Sequence, residues 1–279
     1  MDSPKDILHR RGLRAKHSWG QNFLGDADIL AQIAASVQLE PDEMVVELGP
    51  GLGHLTRALL DQGARVTAVE RDRDMVTAMS DILKAEIESG QLKVVAANAT
   101  EIQFAELAGV PRVAVVGNLP YHLTSPILFS VLEQQGTISR AVFTVQKEVA
   151  DRLAAEPGGR EYGLLTVLLG LYFRIDLVLD LSRRHFHPPP NVDSAVIRLT
   201  KLPVPRATVS SDAHYRRVVK ASFAQRRKTI FNSLQTDPKL GTKDALKAAL
   251  EKAGIDGRRR AETLAVEEFA ALERALGGV

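Results

Sequence analysis

The sequence predicts an α/β fold: a doubly wound, mostly parallel sheet of seven strands, followed by a small all-helical C-terminal domain. Three observations carry this. Short apolar runs alternate with amphipathic stretches of helical period, strand then helix, five times over. The first run, Met44-Val45-Val46-Glu47-Leu48, passes at once into Gly49-Pro50-Gly51-Leu52-Gly53. From about Lys201 the strands cease, Pro203 and Pro205 make a linker, and basic helical segments follow. The predicted divisions are 1–25, a basic arm and a covering loop; 26–203, the sheet domain; and 204–279, the helical domain.

Composition bounds the function. The chain has 279 residues, 45% hydrophobic and 25% charged, as expected of a globular protein with room for one large domain and one small one. It has no cysteine, which excludes disulfides, thiolate metal sites and Cys nucleophiles. No apolar run approaches the roughly 18 residues of a membrane span. The polar, basic stretch from Met1 to Lys16 is no secretory signal, so a cytoplasmic protein without a membrane partner is expected. Charge is uneven. Residues 1–200 carry 20 Lys and Arg against 25 Asp and Glu; residues 201–279 carry 16 against 9. A basic tail on a mildly acidic body suits a polyanionic partner, although a solvated helical surface explains the charge equally well.

In chain order, residues 1–16 read as a mobile basic arm. Gly20-Gln21-Asn22-Phe23-Leu24 reads as an ordered loop docked on the body. Asp26 caps a helix to about Val37, with Ile29, Leu30 and Ile33 on its apolar face. After the glycine turn come a helix (His54 to Asp61) and a second strand, Arg65 to Val69, ending at Glu70. Strand, glycine turn, helix, strand and acid form a βαβ nucleotide-binding unit. The glycines permit positive φ and close approach of a ligand, the helix N-terminus offers oriented N–H groups, and Glu70 can accept both hydroxyls of a ribose. The pattern alone does not say which adenosine-containing ligand binds. The spacing is G-x-G-x-G rather than G-x-G-x-x-G, and the acid Glu47 precedes it. An acid there disfavours a pyrophosphate and suits a cation, so S-adenosylmethionine is favoured over NAD. A long helix, Asp72 to about Ser89, leads to a third strand, Leu92 to Ala96, with Asn98 beyond its carboxyl end.

The fourth strand, Val113 to Gly117, delivers Asn118-Leu119-Pro120-Tyr121. Pro120 ends the strand, so an amide and a phenol project where ligands of open α/β sheets bind. Taken alone, the tetrapeptide fits an ordinary turn as well. Beside a methyl-donor pocket it suits transfer to an exocyclic amine. The Asn118 side-chain carbonyl and the Leu119 backbone carbonyl can accept the two N–H bonds of adenine, and Tyr121 can stack on the base, a contact worth roughly 1–3 kcal/mol. A helix (about Ser125 to Gln134), a strand (Ala141 to Val145) and a helix opened by Gln146-Lys147-Glu148 follow. A strand from Ile175 to Leu181, a rigid loop through Pro188-Pro189-Pro190 and a last strand from Asp193 to Leu199 complete the sheet. The tail helices are placed at 211–223, 227–234, 243–253 and 266–276.

The chain resembles the small-subunit (16S-type) ribosomal RNA adenine dimethyltransferase family. The likeness rests on Gly20 to Leu24, Glu47 to Gly51, Asn118 to Tyr121, Gln146 to Val149, Tyr162-Gly163, Phe186 to Val196, and Gln225 to Ile230 with Asn232-Ser233-Leu234, in that order across about Lys16 to Phe269. It implies a Rossmann-like methyltransferase sheet, S-adenosyl-L-methionine as cofactor, and dimethylation of two adjacent adenosines near the 3′ end of small-subunit ribosomal RNA. It carries cofactor binding to Asn22, Leu24, Gly49, Glu70, Asn98 and Asn118, with Gln21, Gly51 and Gly53 beside them. Asn118 and Tyr121, with Leu119 and Pro120, match the target-adenine motif. Arg226, Arg227 and Lys228 of the tail are expected to touch RNA phosphates. Lys147 and Arg152 suit RNA or ion pairs with Glu148 and Asp151 equally. The partner is the small ribosomal subunit, and a metal-free monomer is expected. Where Asn98 stands the family usually has Asp; the amide oxygen still accepts but without charge, so weaker cofactor binding is expected. The large-subunit adenine dimethyltransferase of the macrolide-resistance type and a non-catalytic assembly factor are the alternatives.

Overall fold

A computed structural model describes residues 1–277. The strands are β1 (Phe23–Leu24), β2 (Met44–Leu48), β3 (Arg65–Glu70), β4 (Leu92–Ala96), β5 (Val113–Asn118), β6 (Ile138–Gln146), β7 (Phe173–Leu181), β8 (Phe186–His187) and β9 (Ser194–Lys201). Seven of them form one sheet in the order β4-β3-β2-β5-β6-β9-β7, and β1 pairs antiparallel with β8. The pairings β2–β3, β2–β5, β3–β4 and β5–β6 are parallel, and β6 pairs antiparallel with β9. Val45, Val46, Val115, Val142 and Phe143 are fully buried, which explains why these strands read as continuous apolar runs: both faces are covered. The winding reverses between β2 and β5, and in such sheets that is where ligands bind.

The chain divides into two compact units. The first holds residues 1–150 and 176–201. Its helices are α1 (Pro4–Arg10), α2 (Ala27–Ser36), α3 (His54–Asp61), α4 (Arg73–Ile82), α5 (Lys84–Glu88), α6 (Phe104–Ala108) and α7 (Thr124–Glu133), and α8 (Lys147–Leu153) begins in it. Asp26 caps α2, accepting from Asp28 N and Ile29 N at 3.2 Å, and Ile29, Leu30 and Ile33 bury against Val45, Leu59 and Val66. Two expectations change. The basic arm is not mobile over its whole length: Ser3 caps α1, and Ile7 and Leu8 bury with Phe23, Leu52, Met75 and Ala78. The helix read from Asp72 to Ser89 is broken at Leu83, which leaves helical geometry (ψ 31°) with its side chain fully buried.

The second unit holds Asp151–Ile175 and the chain from Leu202. It contains α9 (Leu164–Gly170), α10 (Asp212–Ser222), α11 (Ile230–Leu234), α12 (Lys243–Lys252) and α13 (Val266–Leu276). The predicted boundary at 203 therefore needs a second crossing near 150 and a third near 175. The reason is packing distant in sequence: Val167, Leu168 and Leu169 of α9 bury against α10 and α13. Phe269 is fully buried with its ring 5.7 Å from that of Phe223. The buried Glu273 carboxylate accepts from Ser210 N at 2.9 Å and Ser211 N at 3.2 Å, just ahead of α10. No helix among the described residues is long and apolar enough to cross a membrane.

Candidate active site

A cavity of about 230 Å³ opens at the carboxyl ends of β2, β3 and β5. The glycine turn and Glu70 form its floor. Gly51 has φ +57°, and a Cβ there would stand 2.8 Å from Phe23 Cε1, so only glycine fits. The Gly51 N–H donates to Glu70 Oε2 at 3.1 Å, and the Asp72 N–H donates to Oε1 at 2.8 Å. Both Glu70 oxygens are thus held by backbone donors, with the Arg71 N–H adding to those of Gly51 and Asp72. Burial raises the Glu70 pKa, and the backbone N–H groups oppose that rise. Glu47 is 1% exposed, its Oε2 has no hydrogen-bond partner among the described residues, and burial pushes its pKa up to about 8. A buried carboxyl with an idle oxygen on a cavity wall is a receptor for a cationic ligand.

The covering loop is fastened by polar contacts. Lys16 Nζ donates to Asp72 Oδ1 and to Asp74 Oδ2, both at 2.7 Å. Gln21 Nε2 donates to Asp72 Oδ2 at 2.8 Å, while Gln21 Oε1 accepts from Lys16 N at 2.8 Å. Burial alone would raise the Asp72 carboxyl, but the Lys16 and Gln21 donors outweigh it and hold the pKa below the ordinary value. Lys16 Nζ and the Arg71 guanidinium lie 5.1 and 5.2 Å from the Trp19 ring centroid, within cation–π range. The β1–β8 pair then joins the loop to Phe186 and His187.

At the end of β5, Asn118 Nδ2 donates to the Asn22 carbonyl at 2.9 Å. A carbonyl oxygen only accepts, so this contact fixes which way the amide points and leaves Asn118 Oδ1 as the group offered to a ligand. The strand end is drawn close to β2: a Cβ on Gly117 would stand 2.6 Å from the Leu48 carbonyl oxygen. Pro120 (φ −56°) turns the chain into a 3-10 turn at Tyr121–Leu123. The Tyr121 hydroxyl lies 2.9 Å from Ser194 Oγ, and burial raises the phenol pKa, so the ring is anchored and neutral.

Comparison with known proteins decides what this cavity belongs to. A family profile described as ribosomal RNA adenine dimethylase matches residues 12–276. The chain belongs to the ribosomal RNA adenine dimethylase family. It is 64% identical over 277 residues, 99% of this chain and 96% of the relative, to the Myxococcus xanthus protein named ribosomal RNA small subunit methyltransferase A. The crystal structure of the 23S rRNA methyltransferase ErmE is similar at 31% identity and TM-score 0.70, covering 92% of this chain and all of that one. A dimethyladenosine transferase from Plasmodium falciparum shares the fold, with TM-score 0.73 at 24% identity, covering 90% of this chain and 95% of that one. The chain is an enzyme, and its methyl donor is S-adenosylmethionine.

Within this dimethylase the predicted residues divide. Asn22, Leu24, Gly49, Gly51, Glu70, Asn98, Asn118, Leu119, Pro120 and Tyr121 all line the cavity. Gln21 lines it too, but its amide is spent on anchoring the loop. Gly53 is not on the lining; a Cβ there would press Leu83 Cδ1 and Met79 Cγ at 2.8 and 2.9 Å, so its role is packing. The Asn98 oxygen, expected to accept from the cofactor, already accepts from Thr100 N at 3.2 Å and Thr100 Oγ1 at 3.0 Å, and its Nδ2 donates to Glu101 at 2.6 Å. Away from the cavity, Lys147 pairs with Asp180 at 2.9 Å and Arg152 with Glu161 at 3.3 Å. Arg226, Arg227 and Lys228 are exposed in the loop before α11, whose cap, Thr229, starts the helix later than expected. Arg226 donates to the Arg160 carbonyl at 2.7 Å. Sequence reasoning missed Thr144 on the lining and, off the lining, Ser194, which holds Tyr121, and Gly117, where β5 comes close to Leu48. A hydroxyl inside the otherwise apolar Ala141-Val142-Phe143-Thr144-Val145 was the only sequence signal for Thr144.

Proposed function

We infer that this chain transfers methyl groups from S-adenosylmethionine to the amines of two adjacent adenosines near the 3′ end of small-subunit ribosomal RNA, as a step in small-subunit biogenesis. The observation that carries the reading is the Asn118–Asn22 hydrogen bond, because it leaves a fixed carbonyl facing the cavity. The residues present fit the methyl donor. Glu70 suits the ribose hydroxyls, Glu47 suits an ammonium, and Gly49 lets the backbone come close. When bound, the donor supplies an electrophilic methyl on a positively charged sulfur that leaves as a neutral thioether.

The protein's part is positioning. Adenine's amine is a poor nucleophile because its lone pair is delocalised into the ring. Asn118 Oδ1 and the Leu119 carbonyl accept its two N–H bonds and draw the nitrogen toward a tetrahedral shape. Pro120 fixes the turn that presents both carbonyls on one side. Tyr121, anchored at Ser194, gives the ring a surface to stack on. The alkylated nitrogen is strongly acidic, so its proton needs no special base. The target must leave its stack to enter, as in other base-modifying enzymes. The second unit carries 18 Lys and Arg against 12 Asp and Glu, a net +6 that suits RNA phosphates, with Arg227 and Lys228 exposed on it. The high identity to a small-subunit enzyme favours that substrate over the large-subunit RNA named for ErmE.

Incubation with labelled methyl donor tests this against unmethylated small subunits, naked small-subunit RNA and large subunits. Label in small-subunit RNA is expected. Label only in large subunits selects the macrolide-resistance type, and no label in any substrate removes the enzymatic reading.

A further inference from the structure

We propose that Thr144 is a third contact to the target adenine, its hydroxyl donating a hydrogen bond to a ring nitrogen flanking the amine. The proposal rests on the adenine-transfer reading above and extends it. Its basis is a hydroxyl with nothing to bond. Thr144 is 1% exposed, and its Oγ1 has no hydrogen-bond partner among the described residues, yet it lines the cavity. Burying an unpartnered hydroxyl costs stability, and valine has the same shape without that cost. A threonine there is explained by a ligand that completes the bond.

The sheet register says which ligand. Asn118 of β5 pairs with Thr144 of β6, and Thr144 pairs with Val196 of β9. Side chains paired across neighbouring strands share a face, so Thr144 stands on the face that carries Asn118. Two residues before Val196, on that same face, Ser194 holds the Tyr121 phenol. Thr144 thus occupies the position between the amide that takes the amine and the anchor of the stacking ring. The methyl donor lies the other way. Asn98 follows β4, four strand spacings from β6, or roughly 19 Å at 4.8 Å per strand. Glu70 ends β3, three spacings away. The base held at Asn118 is the ligand beside Thr144.

Adenine offers N1 and N7, both lone-pair acceptors, on the two sides of the carbon bearing the amine. The carbonyls at Asn118 and Leu119 hold only the amine, so the far edge of the ring can still swing about it. A donor at Thr144 to either nitrogen adds a contact on the ring itself, stops that swing and fixes the lone pair toward the methyl. The contact positions the base and makes no bond in the reaction.

The test uses the full chain with the Thr144→Val and Thr144→Ser variants. Four quantities are measured: the melting midpoint, cofactor affinity by calorimetry, methylation of unmethylated small subunits, and methylation of reconstituted subunits carrying 1-deaza- or 7-deazaadenosine at the target. Thr144→Val is expected to melt at or above the wild-type midpoint and to bind cofactor unchanged, while its kcat/KM falls about tenfold, the worth of one hydrogen bond. Thr144→Ser retains the donor and most of the activity. One of the two deaza substitutions costs wild type a similar factor and costs Thr144→Val nothing further, which identifies the nitrogen. Equal kcat/KM for wild type and Thr144→Val overturns the proposal, as does additive loss with both deaza substrates. Weakened cofactor affinity in Thr144→Val also overturns it, by placing the hydroxyl at the donor. If wild type methylates no RNA, the functional reading itself fails, which is a distinguishable result.

Discussion

Replacing Glu47 by glutamine separates a stability cost from a binding role. The carboxyl is 1% exposed, and Oε2 has no hydrogen-bond partner among the described residues. Burial pushes its pKa from 4.5 up to about 8; the Thr56 hydroxyl opposes the rise and the charge of Glu70 adds to it. The sign follows. Between about pH 4.5 and about 8 the folded enzyme keeps a proton that the unfolded chain has released, so stability falls as pH rises through that window. One proton is worth about 1.4 kcal/mol per pH unit, which sets an upper bound of about 5 kcal/mol across the window. Glu47→Gln cannot ionise, so its stability is flatter with pH and exceeds wild type by several kcal/mol at pH 8, with no gain below pH 4.5. The variant also loses the charge that faces a cationic ligand, so cofactor affinity drops. In wild type, cofactor binding at pH 7 favours the ionised carboxyl and releases a proton. Denaturant titrations at pH 5, 6.5 and 8 measure the first effect, and calorimetry in two buffers of different ionisation enthalpy measures the second. Parallel stability profiles for the two proteins, with no proton release on binding, would refute the reasoning.

Asn118→Asp places an acceptor against the Asn22 carbonyl, which also only accepts. Turnover is expected to fall by more than about 100-fold with the fold retained, checked by methyl transfer beside circular dichroism. Gly117→Ala drives a methyl to within 2.6 Å of the Leu48 carbonyl oxygen and forces β2 and β5 apart. A loss of about 1–3 kcal/mol is expected in denaturant unfolding, together with weaker cofactor binding. Asn98→Asp keeps one oxygen for Thr100 and turns the donor at the second position into an acceptor, which is repelled by the Glu101 carboxylate and turns from it toward the ligand. Cofactor affinity is expected to rise, and unchanged affinity by calorimetry would show that this atom does not meet the ligand.

The legible parts of the sequence were local ones. Continuous apolar runs gave β2, β3 and β5 because those strands are covered on both faces. The glycine turn with Glu70, and Asn118 to Tyr121, were visible because strand ends announce themselves by proline and glycine. The illegible parts depended on partners far along the chain. Ile7 and Leu8 were outvoted by the basic residues around them, and their burial against Leu52 and Met75 could not be read from the arm alone. Residues 151–175 carry no mark that assigns them to the helices beyond 202. Thr144 and Ser194 enter the site only through the β5–β6–β9 register, and the Asn98 oxygen is taken by a turn two residues long.

The central claim is that Asn118 and Tyr121 seat an adenine of small-subunit RNA for two methyl transfers. Mass spectrometry of RNA from unmethylated small subunits, after incubation with the enzyme and S-adenosylmethionine, tests it most directly. N6,N6-dimethyladenosine is expected at both of two adjacent positions near the 3′ end with wild type, and none with Asn118→Ala. Unmodified RNA with wild type, or dimethyladenosine formed equally by Asn118→Ala, would contradict it.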